Sequence, residues 1–207
     1  MGLDWVPANL VLFFLLSLIG YAIFDRRWKL FGVNLGFTRP EVNNVLTAVS
    51  AGLLFSAMGL MPFIWGSEFR GADSLMAYSK FVGVGLTPVT LLAAFTWAFI
   101  HQGLPEELFF RGFLLGQLTR RLKFLYANTI QAVVFWLIHI PGYLYLWQIF
   151  DSELTRLLVV VIALVTLVVS FFLGWLRIRD KNRSLVAPVV MHTLANGITY
   201  SVVMFIS

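Results

Sequence analysis

Three short polar motifs interrupt long apolar stretches of this sequence, and they contain the residue types that hydrolytic chemistry uses. They are Glu106-Glu107 with Arg111, His139 at the end of Phe-Trp-Leu-Ile-His, and His192 with Asn196. Carboxylates and imidazoles can activate a water molecule, and imidazole and amide N–H groups can stabilise a developing oxyanion. Because an ionisable residue inside an apolar segment is costly, such residues are candidates for function.

The two adjacent glutamates are expected to have different roles. Neighbouring residues on a helix project about 100° apart, so both carboxylates cannot face the same point. Glu107 and Arg111 have the favourable acidic-before-basic i,i+4 spacing, which predicts an ion pair that leaves no orphan charge. Glu106 is then free to face a site. Alternatively, the pair only caps a helix at the bilayer surface, because glutamates are common in a first turn.

A helix break is expected just before the glutamates. Gly103 can end one helix, and Pro105 can begin the next, where its missing N–H costs nothing. The glutamates would then lie in the first turn of a short helix, where the helix dipole favours an ionised carboxylate. A general base needs that form. Phe109, Phe110 and Phe113 are expected to keep bulk water away from it.

The histidines differ in how much their positions indicate. His139 lies in an otherwise ordinary apolar helix, so a hydrogen bond to a carbonyl freed by Pro141 is as reasonable an interpretation as catalysis. His192 and Asn196 are four residues apart, which places two donors on one helix face. The alternative for that pair is a hydrogen bond between helices. His101 is interpreted as a helix-end residue.

Taken in order, these motifs resemble the signature of a known family of membrane enzymes. They have the forms EExxxR, FxxxH and HxxxN, and the Phe-Phe-Arg-Gly sequence at 109–112 adds to the match. The resemblance is to the CPBP family, the intramembrane CAAX proteases and bacteriocin-processing enzymes also called the Abi family. It covers roughly residues 81–207, whereas the first two helices are similar only in being hydrophobic.

The resemblance implies a glutamic-type endopeptidase that works inside the bilayer and needs no cofactor. In the family pattern, Glu106 and His139 activate a water molecule. His192 and Asn196 form the oxyanion hole, and the ion pair predicted above maintains the site. The residues themselves favour the same division, since peptide hydrolysis needs a base near water and donors at the oxyanion.

The same residues leave a zinc protease as an alternative. Glu106, His139 and His192 would supply three ligands, an acceptable set for an open catalytic site. Against zinc, Glu106 would become a ligand and another base would be needed. The sequence also contains no His-Glu-x-x-His pair.

The composition places these motifs in a polytopic membrane protein. Of the 207 residues, 59% are hydrophobic and 12% are charged, and the mean hydropathy is +0.86. A soluble domain has about a quarter of its residues charged. Cysteine is absent, which excludes disulfides, thiolate metal sites and a cysteine nucleophile. The length fits a single integral membrane domain over 1–207.

The elements that must position the motifs are predicted to form an all-α transmembrane bundle. A span needs about 20 apolar residues, and six stretches of that kind occur, together with a shorter helix that carries the glutamates. The spans are predicted near 7–24, 42–65, 81–101, 124–146, 155–176 and 185–205, and the short helix near 105–119.

Basic residues predict the orientation. Eleven of the fifteen Lys and Arg residues lie in segments 26–39, 120–123 and 177–183, which the positive-inside rule places in the cytoplasm. The N-terminus and the loops at 66–80 and 147–156 would be outside. The net charge of +5 therefore does not indicate nucleic acid. We expect a prokaryotic plasma membrane, with the bilayer and a membrane-anchored protein or peptide as partners.

Counting along the helices predicts a site in the middle or the outer half of the bilayer. At 1.5 Å per residue, Glu106 lies roughly 21 Å from Arg120, and His139 roughly 24 Å from Lys123. These distances favour extracytoplasmic access, so the prenylated substrate of the CAAX enzymes is not carried over to this chain.

A non-catalytic immunity or regulatory protein is the main alternative from another class. Its helices would use the same polar residues only to hold one another together. Transport of a small solute is disfavoured because the sequence lacks paired repeats and two matching broken helices.

Overall fold

A computed structural model describes residues 8–25, 28–66, 80–81 and 83–206. These residues form helices and no strands, which confirms the predicted all-α bundle. The α-helices are α1 (Ala8–Phe24), α2 (Phe31–Leu35), α3 (Val42–Trp65), α4 (Pro88–Trp97), α5 (Leu104–Glu107), α6 (Leu115–Leu118), α7 (Phe124–Ile149), α8 (Glu153–Arg179) and α9 (Val186–Ile206). The predicted start of the first helix at position 7 and most of the 66–80 loop fall outside the described residues.

Four helices in the described part are long and apolar enough to cross a membrane: α3, α7, α8 and, over Val186–Phe205, α9. The shorter α1 is apolar over Leu10–Phe24. Large apolar side chains remain exposed on the outside of the bundle, for example Leu53, Leu144 and Val168. Such faces suit contact with lipid, and the chain is an integral membrane protein.

Residues 88–118 follow one continuous helical path, which we call the motif helix. It joins α4, α5 and α6 through two π-helical segments, Ala98–Gly103 and Leu108–Leu114. Gly103 has helical dihedrals of φ −55° and ψ −56°, and the Leu104 N–H donates to the Phe99 carbonyl. The helix break predicted at Gly103 is therefore wrong. The separate short helix predicted near 105–119 is wrong as well, because the glutamates lie on α5, inside the continuous motif helix and not at a free helix start.

Gly103 serves close helix packing instead. A Cβ at this position would lie 2.5 Å from Thr193 Oγ1 on α9, so only glycine lets the two helices approach so closely. The preceding π-helical turn adds a residue that α-helical geometry does not accommodate, and such turns are frequent at functional sites. Packing against α9 therefore explains why position 103 is a glycine, although local sequence rules interpret it as a helix end.

The motif helix begins at Pro88, later than the predicted residue 81. Gly83 and Gly85 have positive φ values of 69° and 77°, which are incompatible with a helix. The Thr87 hydroxyl then accepts the Thr90 N–H at 3.1 Å and caps the first turn. Thr87 and Pro88 are a typical helix start, but the apolar residues before them led to an earlier predicted start.

The described part of segment 26–39 contacts segment 177–183 at one end of the bundle. Thr38 Oγ1 donates to the Asn182 carbonyl at 2.8 Å, and the Glu41 N–H donates to Asp180 Oδ2 at 2.9 Å. We call residues 34–44 and 177–185 the polar cap. Its contacts agree with the grouping of these segments on one side of the membrane.

Candidate active site

A cavity of about 260 Å³ lies inside the bundle and is lined by α3, the motif helix, α7, α8 and α9. It brings together Glu106, His139, His192 and Asn196, the residues predicted from the three motifs. Its other walls are largely apolar, with Phe55, Ile162, Val165, Val169 and Met191 among their side chains. The arrangement is a polar corner in a mostly apolar chamber.

The cavity lies near the middle of the spanning helices. Thr166, which lines it, is thirteen residues from each end of α8. Asn196 is ten residues from each end of α9. Polar chemistry at this depth is the placement that membrane enzymes and transporters use.

Glu106 is buried at the cavity with one oxygen unsatisfied. Its Oε2 has no hydrogen-bond donor among the described residues. The nearest basic nitrogen, His192 Nε2, is 3.9 Å away, which is beyond hydrogen-bond distance. A buried carboxylate oxygen without a donor is costly, and it leaves an acceptor available for a substrate or a water molecule.

The expected phenylalanine shield of Glu106 is wrong in its details. Phe109 and Phe110 pack against Phe13 of α1, with ring centroids 5.5 and 5.7 Å away. The aromatic residues that line the cavity are Phe55 and Phe135. The π-helical segment turns the motif-helix phenylalanines toward α1 and leaves this wall to other helices.

Glu107 is fully buried, with two partners on Oε1 and none on Oε2 among the described residues. Its Oε1 accepts from Arg111 Nη1 at 2.8 Å, the ion pair expected from the spacing. The same oxygen lies 2.8 Å from His192 Nδ1. The second contact joins residues 85 positions apart, so no local pattern could indicate it. Glu107 thus links the first motif to the third.

The contact with Glu107 fixes the orientation of His192. A carboxylate only accepts, so Nδ1 carries a hydrogen and Nε2 points toward Glu106. In a neutral ring Nε2 is then an acceptor. It becomes a donor only when the ring carries both protons.

Arg111 ties the motif helix to two further helices. Its Nη2 donates to Ser170 Oγ at 2.9 Å and to the Ser170 carbonyl at 3.2 Å. Gln131 Nε2 also donates to Ser170 Oγ, at 3.0 Å. All three side chains are fully buried. Gln131 and Ser170 were missed from the sequence, although each is a polar residue within an apolar helix.

His139 lines the cavity and also bonds to a carbonyl of its own helix. Its Nδ1 lies 2.8 Å from the Phe135 carbonyl, which only accepts. In the neutral ring Nε2 therefore has the lone pair, and the residue still lines the cavity. The carbonyl is one turn upstream, not one freed by Pro141, through which the helix continues.

Asn196 contacts Gln102, a residue outside the three motifs. Its Nδ2 donates to Gln102 Oε1 at 2.9 Å, and the Tyr200 hydroxyl donates to the same oxygen. Gln102 lies four residues before Glu106 and also lines the cavity. That spacing is a usable signal, because it places both residues on one helix face.

His101 stacks on Trp97 with ring centroids 3.7 Å apart. It lies within the first π-helical segment, so the helical path does not end there, contrary to expectation. It is not among the residues that line the cavity.

The three residues of the zinc alternative, Glu106, His139 and His192, all line the cavity. Among the described residues, no group of three or more His, Asp or Glu side chains is arranged to hold a metal ion. His192 bonds to Glu107 through Nδ1 and keeps Nε2 on the side of Glu106, 3.9 Å from its Oε2.

Comparison with known proteins gives one match. A family model described as Type II CAAX prenyl endopeptidase Rce1-like matches residues 88–198. This is more than half of the chain, and it runs from the start of the motif helix into α9, so it contains all three motifs. Searches among curated proteins and among solved structures found no match.

Proposed function

We propose that this chain, which belongs to the Type II CAAX prenyl endopeptidase Rce1-like family, hydrolyses a peptide bond inside the bilayer with water activated by Glu106 and His139. Membership confirms the resemblance to the CPBP family and supports a peptide hydrolase acting on a membrane substrate. The glutamic mechanism and the roles of individual residues are our proposal.

One observation carries the proposal: Glu106 and Glu107 each have a buried Oε2 without a donor among the described residues, and only Glu106 lines the cavity. Folding normally pairs such an oxygen, because an unsatisfied buried acceptor costs about 1–3 kcal/mol. A water molecule bound there would satisfy it. His139 lines the same cavity, and its Nε2 can accept a second hydrogen from that water.

Peptide hydrolysis then follows by general base and general acid steps. Glu106 takes a proton from water while the oxygen attacks the peptide carbonyl carbon, and the carbonyl electrons form an oxyanion. When this intermediate collapses, the C–N bond breaks and Glu106 gives the proton to the leaving nitrogen. His139 orients the water in the first step.

His192 and Asn196 stabilise the oxyanion. Asn196 uses one N–H for Gln102, which leaves the other for the substrate. His192 donates from Nε2 in its doubly protonated form, with Glu107 compensating the charge on the Nδ1 side. Removing one donor of this kind typically costs about 10²–10³ in kcat.

The proposed substrate is a membrane-anchored protein or peptide. The prenyl group that the family description names is not carried over to this chain. We also propose access from the extracytoplasmic side, which requires the orientation given by the positive-inside rule.

Cysteine labelling tests that orientation, because the chain has no cysteine of its own. Trp147 is exposed at the end of α7 far from the polar cap, and Lys123 is exposed just before its start. In intact cells, a membrane-impermeant maleimide should label Trp147→Cys and not Lys123→Cys. The opposite labelling pattern reverses the orientation.

The function is tested with purified protein in proteoliposomes that contain a library of membrane-anchored peptides. Glu106→Gln should abolish the cleavage products that mass spectrometry finds with the unmodified chain. Glu153→Gln, the same change at the exposed start of α8, should cleave normally. Absence of cleavage by the unmodified chain across the library supports the non-catalytic alternative instead. Loss of cleavage on adding a strong chelator, restored by zinc, supports the zinc alternative.

A further inference from the structure

Gln102 joins the motif helix to two residues of α9 at the edge of the cavity. Its Oε1 accepts from Asn196 Nδ2 at 2.9 Å and from the Tyr200 hydroxyl. Asn196 and Tyr200 are four residues apart, so both face the motif helix from one side of α9. Tyr200 is buried, and Gln102 and Asn196 are half-buried at the cavity.

This arrangement determines which end of the Asn196 amide faces the cavity. The amide group is planar, so donating one N–H to Gln102 fixes the direction of the other. If the amide were flipped, its carbonyl oxygen would face Gln102 Oε1, and two acceptors would repel each other. The flipped group would also present an acceptor where an oxyanion needs a donor.

Tyr200 keeps the oxygen of Gln102 pointed toward α9. If Gln102 alone turned over, its NH₂ group would face the Asn196 NH₂ group, donor against donor. Turning both amides together restores a hydrogen bond between them, but the tyrosine hydroxyl then loses its acceptor on Gln102. The third residue therefore biases the pair toward the state with the asparagine N–H available.

We propose that Gln102 is a positioning residue that sets the amide orientation of Asn196, and that Tyr200 holds Gln102 in place. This inference rests on the proposed function, because it gives Asn196 the role of an oxyanion donor. It predicts that replacing Gln102 lowers kcat only because the Asn196 amide loses its orientation.

The first test replaces Gln102 by Met, which has a similar length and no carbonyl acceptor. Gln102→Met should lower kcat about tenfold, the value of one well-placed hydrogen bond, and leave KM unchanged. Gln117→Met makes the same change on α6, at the C-terminal end of the motif helix, and should cleave normally. A rise in KM without a fall in kcat overturns the inference.

The second test leaves the glutamine in place. Tyr200→Phe should lower kcat roughly threefold, because it removes the bias and not the acceptor. Ser201→Ala removes the neighbouring hydroxyl, which donates only to the Gly197 carbonyl of its own helix, and should have no effect. Equal effects of the two variants contradict the role of Tyr200.

A double-mutant cycle separates positioning from a general structural role. Asn196→Ala should lose about 10²-fold in kcat, and adding Gln102→Met should cause no further loss. If the second loss multiplies the first, Gln102 acts independently of Asn196 and the inference is overturned while the proposed function stands. Full cleavage by Asn196→Ala overturns the oxyanion role and this inference together.

Discussion

The polar cap and the cavity each contain a buried carboxylate, and the two differ in how completely they are satisfied. In the cap, Asp180 Oδ2 accepts from the Glu41 N–H at 2.9 Å, and Oδ1 accepts from the Asn182 N–H at 2.9 Å. Two weaker donors add to these. In the cavity, Glu106 Oε2 has no donor among the described residues. Asp180 binds the backbone of the polar cap, whereas Glu106 keeps an acceptor available for a substrate or a water molecule.

This difference separates stability from reactivity. A saturated carboxylate contributes to folding through each hydrogen bond, and its removal leaves backbone donors unpaired. An unsatisfied one costs stability, and proteins tolerate that cost where function requires it. Replacing a carboxylate by its amide should therefore have opposite consequences in the two regions.

Glu107→Gln should have the largest effect on stability, and it should also lower cleavage, because Glu107 contacts both Arg111 and His192. The change leaves Arg111 as a buried charge without its counterion, which costs about 3–5 kcal/mol. Cleavage per folded molecule should also fall at least tenfold, because His192 loses its anionic partner. Denaturant unfolding in detergent and cleavage in proteoliposomes measure the two effects.

The double variant Glu107→Gln with Arg111→Met distinguishes these effects. Removing the orphan charge should restore most of the stability and none of the cleavage. Restoration of both contradicts a role for Glu107 in orienting His192.

Asp180→Asn should cost about 2–4 kcal/mol of unfolding free energy. The amide places an NH₂ group against backbone N–H donors, so at least one buried donor is left unpaired. Cleavage per folded molecule should be unchanged, since the cap is at the far end of the helices. Asp151→Asn, at an exposed position after α7, is the matched control. A loss of specific activity in Asp180→Asn contradicts the separation of the two regions.

Gly103→Ala should cost about 1–3 kcal/mol, because its Cβ would lie 2.5 Å from Thr193 Oγ1. The control is Gly142→Ala, where the new Cβ meets nothing within 4 Å and a mid-helix alanine should stabilise slightly. Thermal melting of both variants tests whether the cavity depends on close packing of the motif helix against α9. Equal melting temperatures contradict it.

Lys181→Ala should have the smallest effect. Its ammonium is 3.4 Å from Glu41, but the side chain is 87% exposed. Exposed ion pairs contribute about 0–1 kcal/mol. A loss as large as that of Asp180→Asn indicates that the cap depends on its surface charges and not on its buried hydrogen bonds.

The sequence predicted the elements well where a single physical requirement dominates. The length of apolar segments gave α3 its observed bounds of 42–65, and the basic residues indicated which loops share one end. The same rules failed at Gly103, where glycine is needed for contact with another helix. Local glycine and proline signals do not distinguish a helix end from a close approach, because that depends on the neighbouring helix.

The candidate site was predictable to the extent that it is local. The ion pair of Glu107 with Arg111 follows from four-residue spacing on one helix. The contacts of Glu107 with His192 and of Gln102 with Asn196 cross between helices, and their existence depends on how those helices pack. A polar residue stands out in an apolar segment of the sequence, but the sequence does not show which residue of another helix it contacts.

The central claim is that Glu106 is an unsatisfied carboxylate retained for chemistry, and one paired measurement tests it most directly. Glu106→Gln and Asp180→Asn are purified in parallel, and melting temperature and cleavage are measured on the same samples. We expect Glu106→Gln to melt at or above the unmodified protein without cleaving, and Asp180→Asn to melt below it with full specific activity. A Glu106→Gln variant that still cleaves, or that melts as low as Asp180→Asn, contradicts the claim.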